Sequence, residues 1–292
     1  VVWGKNDFII DTSKIEINGY PAIVLKEDGQ FTLSYARDNV LLSIFTVNVP
    51  YEECDKIIES IPKHLPILQF IYNISREISE ATTASDDYTY LACCANLSNI
   101  RALSSGEIIQ YEDRFKYYNY AFKFIRNHKN SVLIFNMYKN TPVGCTIRDT
   151  QSHEFCDIGN TGGLFYGLLN LSPNFKYGDQ IVIVEGPKDW ETYRYAFKTK
   201  NCLAMMTANT TIAQLEVLKA LTNNIVLAND NDTAGIKAQK QFIYNNKTFF
   251  KINTLKHPDH QKDFGDLIPL IRTNKQKLKE CINYYNSRIN TF

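Results

Sequence analysis

The stretch QIVIVEGPKDWETYRYAF, from Gln180 to Phe197, carries an apolar run straight into a glutamate and then into a helical pattern. Ile181 to Val184 show no polar alternation, as expected of a strand buried on both faces of a sheet. Glu185, Gly186 and Asp189 stand where that strand gives way to a helix. A charge in such a place serves exposure, helix capping or chemistry, and the rest of the chain has to decide among them.

Outward from this stretch the same unit repeats. Strand CLAMMTA (from Cys202) leads to helix TIAQLEVLKAL (from Thr211), and strand NIVLAND (from Asn224) to helix TAGIKAQKQFIYN (from Thr233). Strand FFKINTL (from Phe249) then leads to a loop and a last helix. Apolar strands alternating with amphipathic helices predict an α/β fold, a parallel sheet covered on both faces. Sites in such sheets form at the carboxyl ends of the strands. Glu185 and Asp230 both occupy such ends, and NDNDTAG (Asn229 to Gly235) adds Asp232.

If these strands are neighbours, Glu185, Asp189, Asp230 and Asp232 converge, and like charges that close repel unless cations neutralise them. Oxygen ligands of this kind suit Mg²⁺ or Mn²⁺ and metal-assisted phosphoryl transfer. Taken singly, each acid has a plainer reading: Asp232 as an N-cap, Asp189 as a first-turn acid, Glu185 as an exposed strand end. Taken jointly, capping does not require all of them to come from one edge of one sheet.

The bulk properties fit a soluble, folded chain of 292 residues, with 44% hydrophobic and 22% charged residues and a net charge of +1. A near-neutral balance leaves nucleic-acid binding to local basic patches. Seven cysteines form no C-x-x-C pair, which argues for a reducing compartment and against a disulfide framework or a zinc ribbon. No apolar run reaches the ~20 residues that span a bilayer, and no signal segment is visible, so a cytoplasmic location is expected.

Upstream, FTLSYARDNVLLSIFTVNV (Phe31 to Val49) reads as two strands around Arg37-Asp38-Asn39, and YEECDKIIESI (Tyr51 to Ile61) as a helix stopped by Pro62. ATTASDDYT (Ala81 to Thr89) reads as an exposed loop near a boundary. From Ile109 to His128 a single amphipathic helix is expected, with Phe115, Phe122 and Ile125 inward and Arg114, Lys116, Lys123 and Arg126 around it. SVLIFNMYKNTPVGCTIRD (Ser131 to Asp149) reads as a β-hairpin turning at Lys139 to Pro142.

The motifs carry a family resemblance. VEGPKD with NDNDTAG is similar to the E-G-x-x-D and D-x-D-x-A-G signatures of the TOPRIM fold, in the form found in primases. QKDFGDLI (Gln261 to Ile268) resembles the K-D-x-x-D segment after the fourth strand, which implies Asp263 and Asp266 as further metal ligands. IFNMYKNTPVGCTIRD and LFYGL (Leu164 to Leu168) resemble the hairpin and L-Y-G-L segment of DnaG-type and phage primases, with Arg148 at the basic position. SHEFCDIGNTGG (Ser152 to Gly163) lacks the lysine that the family carries there, and the chain shows neither the family's zinc ribbon nor a phosphate-binding loop of a helicase motor.

The resemblance implies an α/β fold in which a parallel-sheet TOPRIM domain (177–270) follows a mixed α/β primase subdomain (106–176) and an N-terminal α+β region (1–105), with a helical tail at 271–292. It further implies a phage- or mobile-element-type DNA primase that makes short RNA primers. Its partners would be a single-stranded DNA template, ribonucleoside triphosphates and a replicative helicase, with Mg²⁺ or Mn²⁺ as cofactor. Glu185, Asp189, Asp230 and Asp232 would be catalytic, and Glu185, Asp230, Asp232, Asp263 and Asp266 would bind metal. Arg148 would bind template or triphosphate; Lys188, just inside the first helix, is placed either to reach a phosphate at the sheet edge or to be an exposed helix lysine.

RFKYYNYAFKFIRNHK (Arg114 to Lys129) interleaves basic and aromatic residues, as single-strand-binding surfaces do, and leaves Arg114, Lys116, Lys123 and Arg126 as candidate template contacts. A solvated helix face with core aromatics explains the same pattern. HPDHQKD spaces His257, His260 and Asp263 as a transition-metal site would, but without a nearby cysteine or further histidine. A TOPRIM nuclease, a topoisomerase and a non-catalytic DNA- or replisome-binding module remain the competing classes.

Overall fold

The computed structural model describes residues 9–17, 20–27, 30–37, 40–47, 67–76, 86–94, 98–138, 141–159, 161, 165–199, 201–206 and 210–289. The chain divides into two compact units, Val1–Ile67 and Leu68–Phe292. In the first, strands β1 (Ile9–Ile17), β2 (Tyr20–Glu27), β3 (Gln30–Arg37) and β4 (Val40–Val47) pair antiparallel in sequence order. β3 and β4 are the two strands expected on either side of Asp38. The helix expected over Tyr51 to Ile61 lies outside the described residues.

After a helix at 67–74 (α1), helix α2 (Asp87–Cys93) begins on Asp86. Asp86 accepts from the Thr89 N–H, and the Asp86 N–H donates back to Thr89 Oγ1, a reciprocal cap that satisfies two otherwise orphaned donors. The polar run expected to be loop is therefore, from Asp86 on, the start of a helix. Strand β5 (Ile100–Ala102) and short helix α3 (Ser105–Ile109) follow.

The single helix expected up to His128 is broken. A 3-10 segment, Glu112–Tyr118, carries a non-helical Phe115 (φ −125°, ψ 47°) and is followed by α4 (Asn119–Asn127). Phe115 packs on Phe70 with ring centroids 5.2 Å apart, while Phe122 and Ile125 are buried on a different side of the kink. Hairpin strands β6 (Ser131–Tyr138) and β7 (Thr141–Asp149) then pair as the sequence predicts, and β8 (Phe155–Gly159) completes an antiparallel sheet of order β5-β6-β7-β8.

The second sheet is parallel. β9 (Ile181–Val184), α5 (Pro187–Phe197), β10 (Cys202–Ala204), α6 (Ile212–Leu221), β11 (Asn224–Leu227), α7 (Thr233–Asn246) and β12 (Lys251–Thr254) alternate along the chain. A 3-10 turn (Phe264–Leu267) and helices α8 (Ile268–Thr273) and α9 (Lys275–Ile289) close it.

Side chains alternate across β9. Val182 and Val184 join Trp190, Tyr193 and Tyr285, together with Ile100 and Ile134 of the antiparallel sheet. Ile181 and Ile183 point the other way, to Leu218 of α6 and Phe242 of α7. Covering both faces is what the unbroken apolar strand demanded, and each such fully buried aliphatic side chain contributes roughly 1.5–3 kcal/mol. Among the described residues no helix is long and apolar enough to cross a membrane.

The two sheets are joined by a buried polar knot. Glu191 Oε1 on α5 accepts from the Asn99 N–H at 2.8 Å and from the Tyr166 hydroxyl at 2.7 Å. Tyr166 in turn bridges to Ala204 of β10, and Gly167 (φ +82°) lies under Trp190, whose ring a Cβ there would meet at 2.1 Å. LFYGL thus has a structural reason for its tyrosine and glycine.

Burial pushes the Glu191 carboxyl from 4.5 up to about 7. A carboxyl raised on folding contributes stability that is full below 4.5 and lost as pH climbs through 7. Glu191→Gln keeps an Oε1 acceptor for both bonds without the charge. It is expected to exceed the wild type by about 1–3 kcal/mol at pH 8.5 and to lose that advantage at pH 5. Thermal melts at the two pH values check this, and an equal gap at both would refute it.

Candidate metal centre

The order of the parallel sheet is β10-β9-β11-β12. From β9 the chain moves out to β10 on one side and then returns to lay β11 on the other, with Ile225 beside Ile181 and Leu227 beside Ile183. The crossover connections therefore diverge between β9 and β11, and a crevice opens at the carboxyl ends of these two strands. Glu185 leaves β9 there, and Asp230 follows β11. The adjacency that the acid cluster requires is present.

The carboxylates that come together are those of Asp189, Asp230 and Asp263, each offering one oxygen within 4.8 Å of the others. Asp189 rides on the first turn of α5, and its Oδ1 accepts from the Gly265 N–H at 3.0 Å. Asp263 caps the 3-10 turn after β12, where its Oδ1 accepts from the Asp266 N–H. Asp189 and Asp263 are 6% and 8% exposed; Asp189 is the first-turn acid of the plainer reading, but a buried one.

Burial, reinforced by the charges of Asp263 and Asp230, holds the Asp189 carboxyl well above the usual carboxylate range. Burial and the neighbouring Glu185 push Asp230 up to about 6, against the pull of Lys262. Hard oxygens crowded in this way are the donor set that Mg²⁺ or Mn²⁺ takes, and a cation relieves the repulsion that the raised values report. The residues fit a divalent ion.

The other acids expected here make the following contacts. Glu185 Oε1 accepts from the Asp230 N–H at 3.2 Å and the Asn229 amide at 3.3 Å, bracing the loop after β11. Asp232 is the N-cap of α7, accepting from the Gly235 N–H at 2.9 Å, and that bond followed by Lys262 lowers its carboxyl below the ordinary value. Asp266 is exposed and accepts from the Lys262 N–H at 2.6 Å. These hydrogen bonds tie down the loops that carry Asp230 and Asp263.

Lys188, on α5, lies 3.8 Å from Asp263 and 3.9 Å from Asp87. Burial pulls its ammonium down, but the charges of Asp263 and Asp189 outweigh it and the net shift is upward. Arg148 of β7 places its guanidinium 5.5 Å from the ring centre of Tyr88 on α2, and its buried Nε has no hydrogen-bond partner. Tyr88 feels Arg148, Lys188, Asp189 and Asp263 together, with burial raising its hydroxyl above the usual tyrosine value. Lys116, Lys123 and Arg126 are exposed on the α4 side, where Arg126 pairs with Glu112. None of these three has an ion pair with the acid cluster among the described residues.

Asp87, Tyr88 and Lys262 have no assigned role in the sequence reading. Asp87 and Tyr88 lay in a stretch read as loop, and Lys262 stood inside a motif noticed for its aspartates. His257 is buried with its Nδ1 2.8 Å from the Tyr285 hydroxyl and its ring against Phe264, whereas His260 is exposed. The carboxylate centre takes Asp263 without either histidine.

A protein family described as Toprim-like matches residues 182–268. A search of curated protein sequences finds no match. Among solved structures, the Aquifex aeolicus primase with its zinc-binding and RNA polymerase domains is similar over 89% of this chain and 80% of its own, at 16% identity and a TM-score of 0.50. The E. coli primase catalytic core is similar over 53% of this chain and 51% of its own, at 17% identity and a TM-score of 0.43. The primase fragment of the bacteriophage T7 primase-helicase covers 55% and 70%, at 16% identity and a TM-score of 0.37. The chain spans about half the length of the DnaG catalytic cores that it matches, 53% and 51%. Residues 182–268 are a Toprim-like domain, and the chain carries it in the fold of a DnaG-type primase catalytic core.

Proposed function

We propose that this chain is the catalytic portion of a DNA primase, making short RNA primers on single-stranded DNA by metal-dependent nucleotidyl transfer. The observation that carries the reading is the meeting of Asp189, Asp230 and Asp263 within 4.8 Å at the switch point of a Toprim-like sheet. On this reading residues 177–270 are the catalytic TOPRIM domain, 106–176 the primase subdomain, 271–292 a helical tail and 1–105 an accessory region. Single-stranded DNA, ribonucleoside triphosphates and a replicative helicase are the partners, in the cytoplasm of a bacterium or a phage-infected cell.

A primer 3′-hydroxyl, or that of a first nucleotide, attacks the α-phosphorus of the incoming ribonucleotide. The new P–O bond forms as the bond to pyrophosphate breaks, and the hydroxyl proton passes to a carboxylate of the cluster or to solvent. Asp189, Asp230 and Asp263 would hold the divalent ion. When bound, Mg²⁺ or Mn²⁺ supplies the charge that the triphosphate and the attacking oxygen require. Glu185 fixes the Asp230 backbone so that this carboxylate keeps its aim. Lys188 and Arg148 border the cluster and offer positive charge to phosphates.

The test is incubation with single-stranded DNA, labelled ribonucleotides and Mg²⁺ or Mn²⁺, comparing wild type with Asp230→Ala/Asp232→Ala. Short RNA products that vanish in the double variant are expected. Cleaved DNA without RNA would mean a nuclease instead, and retained DNA binding with neither product would mean a binding module.

A further inference from the structure

Lys262 is the residue that the carboxylate chemistry leaves unexplained. Its ammonium lies 3.0 Å from Asp230 Oδ2 and 3.1 Å from Asp232 Oδ2, bridging the two aspartates that follow β11. Its backbone is fixed at both ends. The Lys262 N–H donates to Asp266 Oδ2 at 2.6 Å, and its carbonyl accepts from the N–H of Asn231, the residue between the bridged aspartates, at 2.7 Å. The loop after β12 is thereby stitched to the loop after β11, with this lysine at the seam.

The side chain itself is 54% exposed, so the anchor is held while the tip is free to swing. Asp232 spends Oδ1 on the Gly235 N–H and gives Oδ2 to the lysine. On the opposite flank Lys188 sits 3.8 Å from Asp263. Two ammoniums thus face the cluster from two sides, and only the Lys262 ammonium bridges two carboxylates at hydrogen-bond distance among the described residues.

We infer that Lys262 is a built-in counter-ion that competes with divalent metal for the Asp230–Asp232 pair. The inference rests on the reading of Asp189, Asp230 and Asp263 as a metal centre. An ammonium between two carboxylates satisfies the same oxygens that a divalent ion needs, so an ion entering there has to displace it. The fixed backbone keeps the displaced ammonium beside the centre, where a triphosphate would lie. The lysine therefore sets how readily this flank takes metal.

The experiment is titration of the full chain with Mn²⁺ alone, read by electron paramagnetic resonance of free Mn²⁺ and by calorimetry. Wild type, Lys262→Met, Lys262→Arg and Asp189→Asn are compared, with circular dichroism confirming that each is folded. Removing one charge-assisted competitor is expected to tighten Mn²⁺ binding in Lys262→Met by about tenfold or to add a second bound ion, while Lys262→Arg stays near wild type. Unchanged or weaker Mn²⁺ binding in Lys262→Met, with binding still lost in Asp189→Asn, would overturn the counter-ion and leave the metal centre standing. Identical binding in wild type and Asp189→Asn would remove the metal centre and, with it, this inference.

Discussion

Asp189→Asn is expected to abolish nucleotidyl transfer while making the metal-free protein more heat-stable. The carboxylate stands buried among Asp230 and Asp263, and its ionisation is opposed by burial first and by those two charges next. Asparagine retains an oxygen for the Gly265 N–H and removes the repulsion, so the metal-free melting temperature rises by a few degrees, at about 2–4 °C per kcal/mol for a unit of this size. Loss of a ligand to a divalent ion takes several kcal/mol of charge stabilisation from the transition state, on the order of 10³-fold in rate.

Saturating Mn²⁺ reads the same centre through stability. Ion at about a hundred times its dissociation constant stabilises a folded protein by about 2.7 kcal/mol, so the wild type gains roughly 5–10 °C and Asp189→Asn gains little. A variant that melts below wild type without metal, and still responds to Mn²⁺, would sink the assignment. The opposite signs matter. An ordinary destabilising substitution lowers stability and activity together, whereas removing a functional charge separates them.

Gly235→Ala is the second large effect. A Cβ there would lie 2.3 Å from the Asp230 carbonyl oxygen and 2.8 Å from Glu185 Oε1. Neither has room to retreat. Glu185 is bonded to the Asp230 N–H, and the next N–H, that of Asn231, is bonded to Lys262. The clash therefore moves the Asp230 loop itself, costing about 2–3 kcal/mol of stability. A displacement near 1 Å at a catalytic carboxylate costs about 10²-fold in rate.

Gly106→Ala is the matched control, because a Cβ there meets nothing within 4 Å. On an exposed helix it should be neutral or stabilising by about 0.5–1 kcal/mol. Parallel melts and primer-synthesis rates for the two variants decide the matter. Equal behaviour would mean that the glycine of NDNDTAG is not there to admit Asp230 and Glu185.

Much of this was legible before any coordinates. Unbroken apolar strands announce a sheet covered on both faces, because no other environment hides every side chain of Ile181 to Val184. Their carboxyl-end acids then mark the edge where chemistry belongs. Periodicity carries no information on strand order, however, and the adjacency of β9 and β11 is a property of the return path through β10. The break in the Ile109–His128 helix was not legible because helical spacing says nothing of Phe70, on whose ring Phe115 packs. The contacts that each acid makes were hidden for a related reason. Glu185, Asp232 and Asp266 differ from Asp189, Asp230 and Asp263 in which loop N–H or side chain they meet, and that is fixed by tertiary contact.

The distribution of the three clustered carboxylates along the chain also bears on how the protein is made. Asp189 belongs to the first βα unit and Asp230 follows β11, the third strand of the parallel sheet in chain order, while Asp263 lies beyond β12. During synthesis, β9 and β11 emerge before β12 and Asp263. Until then the nascent chain carries two of the clustered acids and no centre. On the proposed reading, a divalent ion would find all three carboxylates only after Asp263 has emerged.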